Sequence, residues 1–274
     1  MTDTAGNVSV LCVVGVVTGV TQLHDVVYMV CRGSSTISRF NARTHQRLTD
    51  IDVKDLSSPD DIVACERTSQ IYVADYECIW RVSSDGEDIK RWLPKSPSDT
   101  FNPESLSVTS TRLLVTSRDT PQLIQFDEVG DELRRVQLPD DMDPWHAVES
   151  PTGTFIVSHY NDELEQGHVS EVNTGGDVLR QFSGSHLPSL GETPHVAVDS
   201  HGNILVADWY NHRILLLDGH LKLLRDVVDQ HQLNYEVPWR LCYIEQSGQL
   251  LVGLYELVVI EFGLGVEVFD VLCR

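Results

Sequence analysis

Residues 193–228 read TPHVAVDSHGNILVADWYNHRILLLDGHLKLLRDVV. Four short apolar runs, His195–Val198, Ile204–Ala207, Arg213–Leu217 and Leu221–Val228, alternate with clusters of turn-forming residues. Runs this short, rich in Val, Ile and Leu and bounded by Asp, Gly, Asn and Ser, read as β-strands. The separators are Ser200–Asn203, Asp208–His212 and Asp218–Gly219. An Asp-Gly pair between apolar runs predicts a two-residue type I′ hairpin, whose central positions both need positive φ. The segment therefore predicts one small sheet of four antiparallel strands.

The same pattern recurs along the chain. A proline precedes an apolar run at Pro59, Pro103, Pro144, Pro194 and Pro238, at intervals of 44, 41, 50 and 44 residues. Turn residues keep the same step at Asp85–Gly86, Val129–Gly130–Asp131, Gly175–Gly176 and Asp218–Gly219. A period of about 45 residues means a repeat architecture, and 274 residues hold six units. A four-stranded unit cannot bury both of its apolar faces alone. Stacking the units around an axis buries those faces and leaves only short edges exposed. The expected fold is all-β: a single six-bladed β-propeller with blades at about 16–53, 58–94, 102–139, 143–184, 193–228 and 237–274.

Composition fits that expectation: 41% apolar and 22% charged residues are ordinary for a globular chain. Charge is not ordinary, with 20 basic against 41 acidic residues and a formal net charge of −21. A field of that sign favours cationic partners and opposes DNA and RNA backbones. The longest weakly charged apolar stretch, Val8–Val20, carries glycines and falls short of a membrane span, so no membrane association is expected. The first residues, MTDTAGN, lack a basic leader segment. Six cysteines (Cys12, Cys31, Cys65, Cys78, Cys242, Cys273) show no C-x-x-C spacing, which predicts free structural thiols and a cytoplasmic location.

Within residues 202–214 the order Gly202-Asn-Ile-Leu-Val-Ala-Asp208, then Asn211-His212-Arg213-Ile214, resembles the NHL repeat. Residues 71–75 with Arg81 resemble it in part, as do residues 153–158. The resemblance implies the NHL propeller that ends TRIM-NHL proteins, where the propeller selects targets for a ubiquitin ligase. Asp75, Asp208, Asn211 and Arg213 are its structural residues, with Asp208 accepting bonds in the turn and Arg213 close enough to pair with it. The resemblance also implies a final blade shared by the chain ends, with Val8–Val14 as its outermost strand. Turn spacing alone offers another closure, with a turn at Gly263–Gly265 and Val266–Leu272 outermost. The first is preferred because Val8–Val14 otherwise lacks a partner.

Propellers bind ligands where the loops leading into the innermost strands converge. The residues after the marker prolines, Asp60, Asp61, Glu104, Trp145, His146, His195, Trp239 and Arg240, form the candidate ring at the channel mouth. Trp145, Trp239 and Arg240 have the chemistry of protein-binding anchors. A non-enzymatic protein-binding module, a monomer with no cofactor, is the expected function. The alternatives are single-stranded RNA binding on the same face and a metal-dependent hydrolase or lyase. Pro194-His195 resembles the Pro-His turns of amidating-lyase propellers, which hold zinc with three inward histidines. Here His146 counts one residue out of register from its proline. A lactonase-like calcium site would draw on Asp60 and Glu104, otherwise solvated rim carboxylates. No phosphate loop, nucleophile elbow or H-E-x-x-H motif is present, so neither a catalytic residue nor a resident metal is expected. The segment Asn161–Glu165 with His159 and His168 reads as an exposed hairpin tip.

Overall fold

A computed structural model describes residues 8–12, 15–76, 78–94, 102–117, 120–161, 163–184, 188–191, 195–255 and 258–263. The chain begins its pattern with β1 (Val8–Cys12). The next sheet runs β2 (Val17–Leu23), β3 (Val26–Cys31), β4 (Thr36–Asn41) and β5 (Ile51–Asp52). A second runs β6 (Pro59–Cys65), β7 (Gln70–Asp75), β8 (Cys78–Ser83) and β9 (Ile89–Pro94). A third runs β10 (Pro103–Thr109), β11 (Arg112–Ser117), β12 (Gln122–Phe126) and β13 (Glu132–Gln137). A fourth runs β14 (Asp143–Glu149), β15 (Phe155–Asn161), β16 (Gln166–Val172) and β17 (Val178–Phe182). A fifth runs β18 (His195–Val198), β19 (Ile204–Asp208), β20 (Arg213–Leu217) and β21 (Leu223–Val228). These five sheets each use four consecutive strands. The remaining sheet joins β22 (Pro238–Ile244), β23 (Gln249–Leu254) and β24 (Val258–Gly263) to β1.

β1 lies antiparallel to β24, from Val8 opposite Phe262 to Cys12 opposite Val258. The chain is an all-β propeller of four-stranded antiparallel sheets. Val13 and Val14 of the expected closing strand, the alternative Val266–Leu272 strand, and Pro194 lie outside the described residues.

Burial explains why the sheets stack. Each apolar cluster joins two neighbours: Tyr28, Ile37 and Val53 pack against Ile62, Ile71 and Trp80, and Leu114, Leu123 and Val136 against Ala147, Phe155 and Val157. At the seam Val20, Val27 and Met29 pack with Leu251 and with Leu11 from β1. The outer strands β13 and β17 are mostly exposed, and the charges of Glu132, Arg134 and Arg135 discourage pairing with another chain. Among the described residues the free cysteines are Cys31, Cys65, Cys78 and Cys242. No described helix is long and apolar enough to cross a membrane.

Four of the marker prolines stand at the beginning of an innermost strand: Pro59, Pro103 and Pro238 are the first residues of β6, β10 and β22, and Pro144 is the second of β14. Proline fits there because these strands pair on one side only and its missing N–H breaks no ladder bond. The turn chemistry differs from expectation. In the turns between third and fourth strands a single residue is left-handed: Gly86 (φ 82°), Gly130 (φ 99°), Gly176 (φ 93°), and Leu221 (φ 59°) in the fifth sheet. Asp127, Asn173 and Asp218 head three of these turns, and Ser83 heads the one with Gly86. Asp127 Oδ1 accepts the N–H groups of Val129, Gly130 and Asp131, and Asp218 Oδ1 those of His220 and Lys222. Leu221 is thus a turn residue, and β21 starts at Leu223 rather than at Leu221.

Candidate functional site

The innermost strands β6, β10, β14 and β22 each carry a bulge just after the opening proline, and β2 carries one between Val17 and Gly19. Such a bulge takes up one residue and re-aims the next side chain. Asp61, Ser105, His146 and Arg240 then pair with Ala74, Thr116, Ser158 and Gly253 on the second strands. His195 pairs with Ala207, one residue before Asp208, just as Asp61 pairs one residue before Asp75. His146 and His195 therefore occupy equivalent positions, because the bulge absorbs the extra residue after Pro144. The one-residue offset expected from the sequence is corrected by that bulge. At the matching place on β2 the residue is Gly19, where a Cβ would stand 2.6 Å from Ile62 N.

Four of the candidate residues converge on the channel. The rings of His146 and His195 stack with centroids 3.7 Å apart and planes at 22°. One donor atom each of Asp61, His146 and His195 lies within 4.8 Å of the others, and all three residues are buried. Asp61 accepts the N–H groups of Ile62 (2.8 Å) and Leu106 (2.9 Å). Burial pushes its carboxyl up to about 6, against the pull of Arg240 and of those two N–H groups. His146 Nε2 lies 3.4 Å from the Leu106 carbonyl, which only accepts, so this nitrogen carries the proton. His146 Nδ1 is buried and makes no hydrogen bond of ordinary geometry. His195 Nδ1 accepts the N–H of Leu241 at 3.4 Å, which puts its proton on Nε2. Burial and then the charge of Arg240 hold His146 down at about 3, and burial with His146 holds His195 well below the usual range. Both rings are uncharged at neutral pH. A cavity of about 160 Å³ lies against this group, lined by Thr21, Val63, Ser107, His195, Arg240 and Tyr243 among others.

Arg240 is not the exposed anchor expected from the sequence. Its side chain is 12% exposed and donates to the Thr18 carbonyl (2.7 Å), the Asp60 carbonyl (3.2 Å) and the Trp239 carbonyl (3.3 Å), with Asp61 Oδ1 4.0 Å away. It clasps the sheet of β1 and β22–β24 to the sheets of β2–β5 and β6–β9. Asp60 and Glu104 are likewise buried rather than solvated rim carboxylates, and their charges oppose the fall that burial imposes on the Arg240 pKa. Trp145 and Trp239 are half-buried.

The sequence reading missed the aromatic patch beside the mouth. Trp239 meets Trp209 edge to face at 6.0 Å and Tyr255 at 5.4 Å, and Trp209 meets Tyr210 at 6.3 Å. Arg240 lies 5.1 Å over the Trp239 ring. Tyr210 is 69% exposed and Tyr255 36%. An aromatic at or directly after the end of the second strand is the signal that would have found them, at Tyr76, Tyr160, Trp209 and Tyr255. The turns after second strands lie at the mouth, because Pro59 pairs with Asp75 and Pro238 with Leu254.

The repeat residues hold that patch in place. Arg213 Nε donates to Asp208 Oδ2 at 2.8 Å, and Asn211 Nδ2 reaches both carboxylate oxygens. This fixes the short 3₁₀ turn Trp209–Asn211 that carries Trp209 and Tyr210. His212 is half-buried at the mouth end, with Nδ1 3.3 Å from the Glu236 carbonyl. In the second sheet Asp75 instead takes the N–H groups of Ser57, Ser58 and Tyr76 and the Trp80 indole N–H. Arg81, expected to match Arg213, pairs with Tyr72, and the residue opposite Asp75 is Cys78. His159 and His168, expected on an exposed tip, are buried with rings 5.4 Å apart.

A family comparison matches the NHL repeat over residues 196–215. No curated protein matches the chain. Among solved structures the chain is similar to a streptogramin B lyase, with 10% identity and a TM-score of 0.65 over 93% of this chain and 97% of that one. It is similar to a gluconolactonase of Xanthomonas campestris, with 10% identity and a TM-score of 0.72 over 94% and 90%. A chain of the nidogen–laminin complex matches with 16% identity and a TM-score of 0.61 over 90% and 85%. At such identities the likeness is one of fold.

Proposed function

We propose that this propeller is a non-catalytic module that docks a cationic protein segment on its mouth face. The observation that carries the proposal is the edge-to-face cluster of Tyr210, Trp209, Trp239 and Tyr255, with two tyrosines turned to solvent. Large, rigid, partly apolar rings supply contact area at low entropic cost. On the neighbouring fourth sheet Trp145 follows the exposed carboxylates Asp140, Asp141 and Asp143. Together with the net charge of −21, these favour a basic partner and raise its association rate. Attached to a TRIM-like ubiquitin ligase, such a face would select the target, and on a free-standing chain it would serve as a scaffold.

Single-stranded RNA is less favoured. Arg240 is committed to backbone carbonyls, while Lys90 and Arg91 sit on β9 and Arg134 and Arg135 on β13, away from the mouth. A metal-dependent hydrolase or lyase draws on Asp61, His146 and His195, but catalytic metal sites keep an open position for substrate. These three side chains are buried, and the cavity against them, about 160 Å³, is smaller than ordinary small-molecule sites.

The test is an array of Lys/Arg-rich peptides with matched acidic peptides and a single-stranded uridine oligonucleotide, probed with wild type and with Tyr210→Ala/Tyr255→Ala. The expected result is salt-sensitive binding of basic peptides that the double variant loses while its thermal unfolding is unchanged. Retained peptide binding in that variant, or tighter binding of the oligonucleotide, refutes the proposal.

A further inference from the structure

We infer that Asp61, His146 and His195 form a buried, three-ligand binding site for a divalent transition-metal ion of the zinc class inside the channel. Two imidazoles and a carboxylate are the donor types that zinc prefers over calcium or magnesium. They come from three different sheets, on β6, β14 and β18, yet their donor atoms converge within 4.8 Å. Equivalent ring positions bring them together, which is a built arrangement rather than a chance cluster along one strand.

His146 points to the ion. Its Nε2–H faces the Leu106 carbonyl, the outer contact that orients a ligating histidine and frees the other nitrogen. That other nitrogen, Nδ1, makes no hydrogen bond of ordinary geometry on a residue only 4% exposed, although the Val196 backbone also acts on the ring. Leaving such an atom unmatched is unfavourable, and a coordinated ion removes that cost. On His195 the Nδ1 lone pair is taken by the Leu241 N–H, so coordination there releases that contact. The adjoining cavity leaves space for a water as fourth ligand.

The same geometry states what loading must change. Rings stacked at 22° with centroids 3.7 Å apart hold their lone pairs in nearly parallel, offset planes, which do not meet at one ion. One ring has to turn, and His195 is the freer of the two, held through the 3.4 Å contact from Leu241 N–H. Arg240, 4.0 Å from Asp61, competes for the carboxylate and keeps affinity below that of an all-thiolate structural site. A bound ion would join three sheets at one point and raise stability by mass action.

Zinc chloride alone is titrated into the chelator-treated full chain, with calorimetry and thermal unfolding as readouts and histidine ¹H–¹⁵N spectra for nitrogen assignment. The expected result is one equivalent bound, a higher Tm, and a metal shift at His146 Nδ1. His146→Ala and, separately, Asp61→Asn should weaken binding at least tenfold, while His159→Gln/His168→Gln leaves it unchanged. Absence of binding to wild type, binding unaltered in both site variants, or binding lost with His159 and His168 overturns the inference. Peptide docking at Tyr210 and Tyr255 is scored separately, so either reading can fail without the other.

Discussion

Replacing Arg240 with methionine tests the clasp at the channel. The side chain donates to three backbone carbonyls, on Thr18, Asp60 and Trp239, and faces Asp61 at 4.0 Å. Methionine keeps most of the stem but strands those acceptors and removes the cation nearest a buried carboxyl. Hydrogen bonds from a charged donor contribute roughly 1.5–3 kcal/mol each. Removing one partner of a buried charged pair costs about 3–5 kcal/mol. Asp61 limits the damage by taking a proton, since burial already brings its pKa to about 6. The expected loss is therefore about 3–5 kcal/mol in urea unfolding at neutral pH. Hydrogen exchange should quicken first on β2 and β22, the strands that Arg240 ties together. Asp61→Asn in the same background should recover part of the loss, and Arg240→Lys should recover less than the wild-type fork provides. A loss under about 1 kcal/mol with unchanged exchange at the seam refutes the clasp.

Arg213→Met should cost about 3–5 kcal/mol in the same assay, because Asp208 is then left buried without its cation. His159 supplies a pH dependence. Burial and then His168 hold its pKa at about 4, below the usual 6.5, with Asp141 opposing, so its contribution is whole above about pH 6.5 and is lost as pH falls toward 4. Between pH 7 and 5 wild type should lose about 2 kcal/mol more than His159→Gln, and parallel unfolding curves for the two would refute this. Gly19→Ala should cost about 1–3 kcal/mol or more, since the new methyl meets the backbone of Asp61 and Ile62; a Tm equal to wild type would show that the strands can separate there.

The prolines gave away the innermost strands because proline is tolerated where a strand lacks a second partner, and Pro59, Pro103, Pro144 and Pro238 all sit at such starts. The equivalence of His146 and His195 was hidden because a bulge changes residue count without changing composition. Arg240 read as a surface anchor because charge type says nothing of burial, and three carbonyls inside the ring were needed to explain its position. The Trp209–Trp239 contact joins turns of different sheets, a proximity that local sequence patterns do not encode. Asp208 and Arg213 were readable because both ends of their bond lie five residues apart on one hairpin.

The pairing of β1 with β24 places the first described strand beside the last described one. Five sheets can form as soon as their own four strands have left the ribosome. β1 cannot, since its partner residues 258–262 follow some 250 residues later. During synthesis its backbone edge waits unpaired, an opening for a chaperone or for β1 of another chain. Ring closure is then the slow, high-contact-order step of folding. A circular permutant that carries residues 8–12 directly after β24 would make that step local and should refold faster to the same ring.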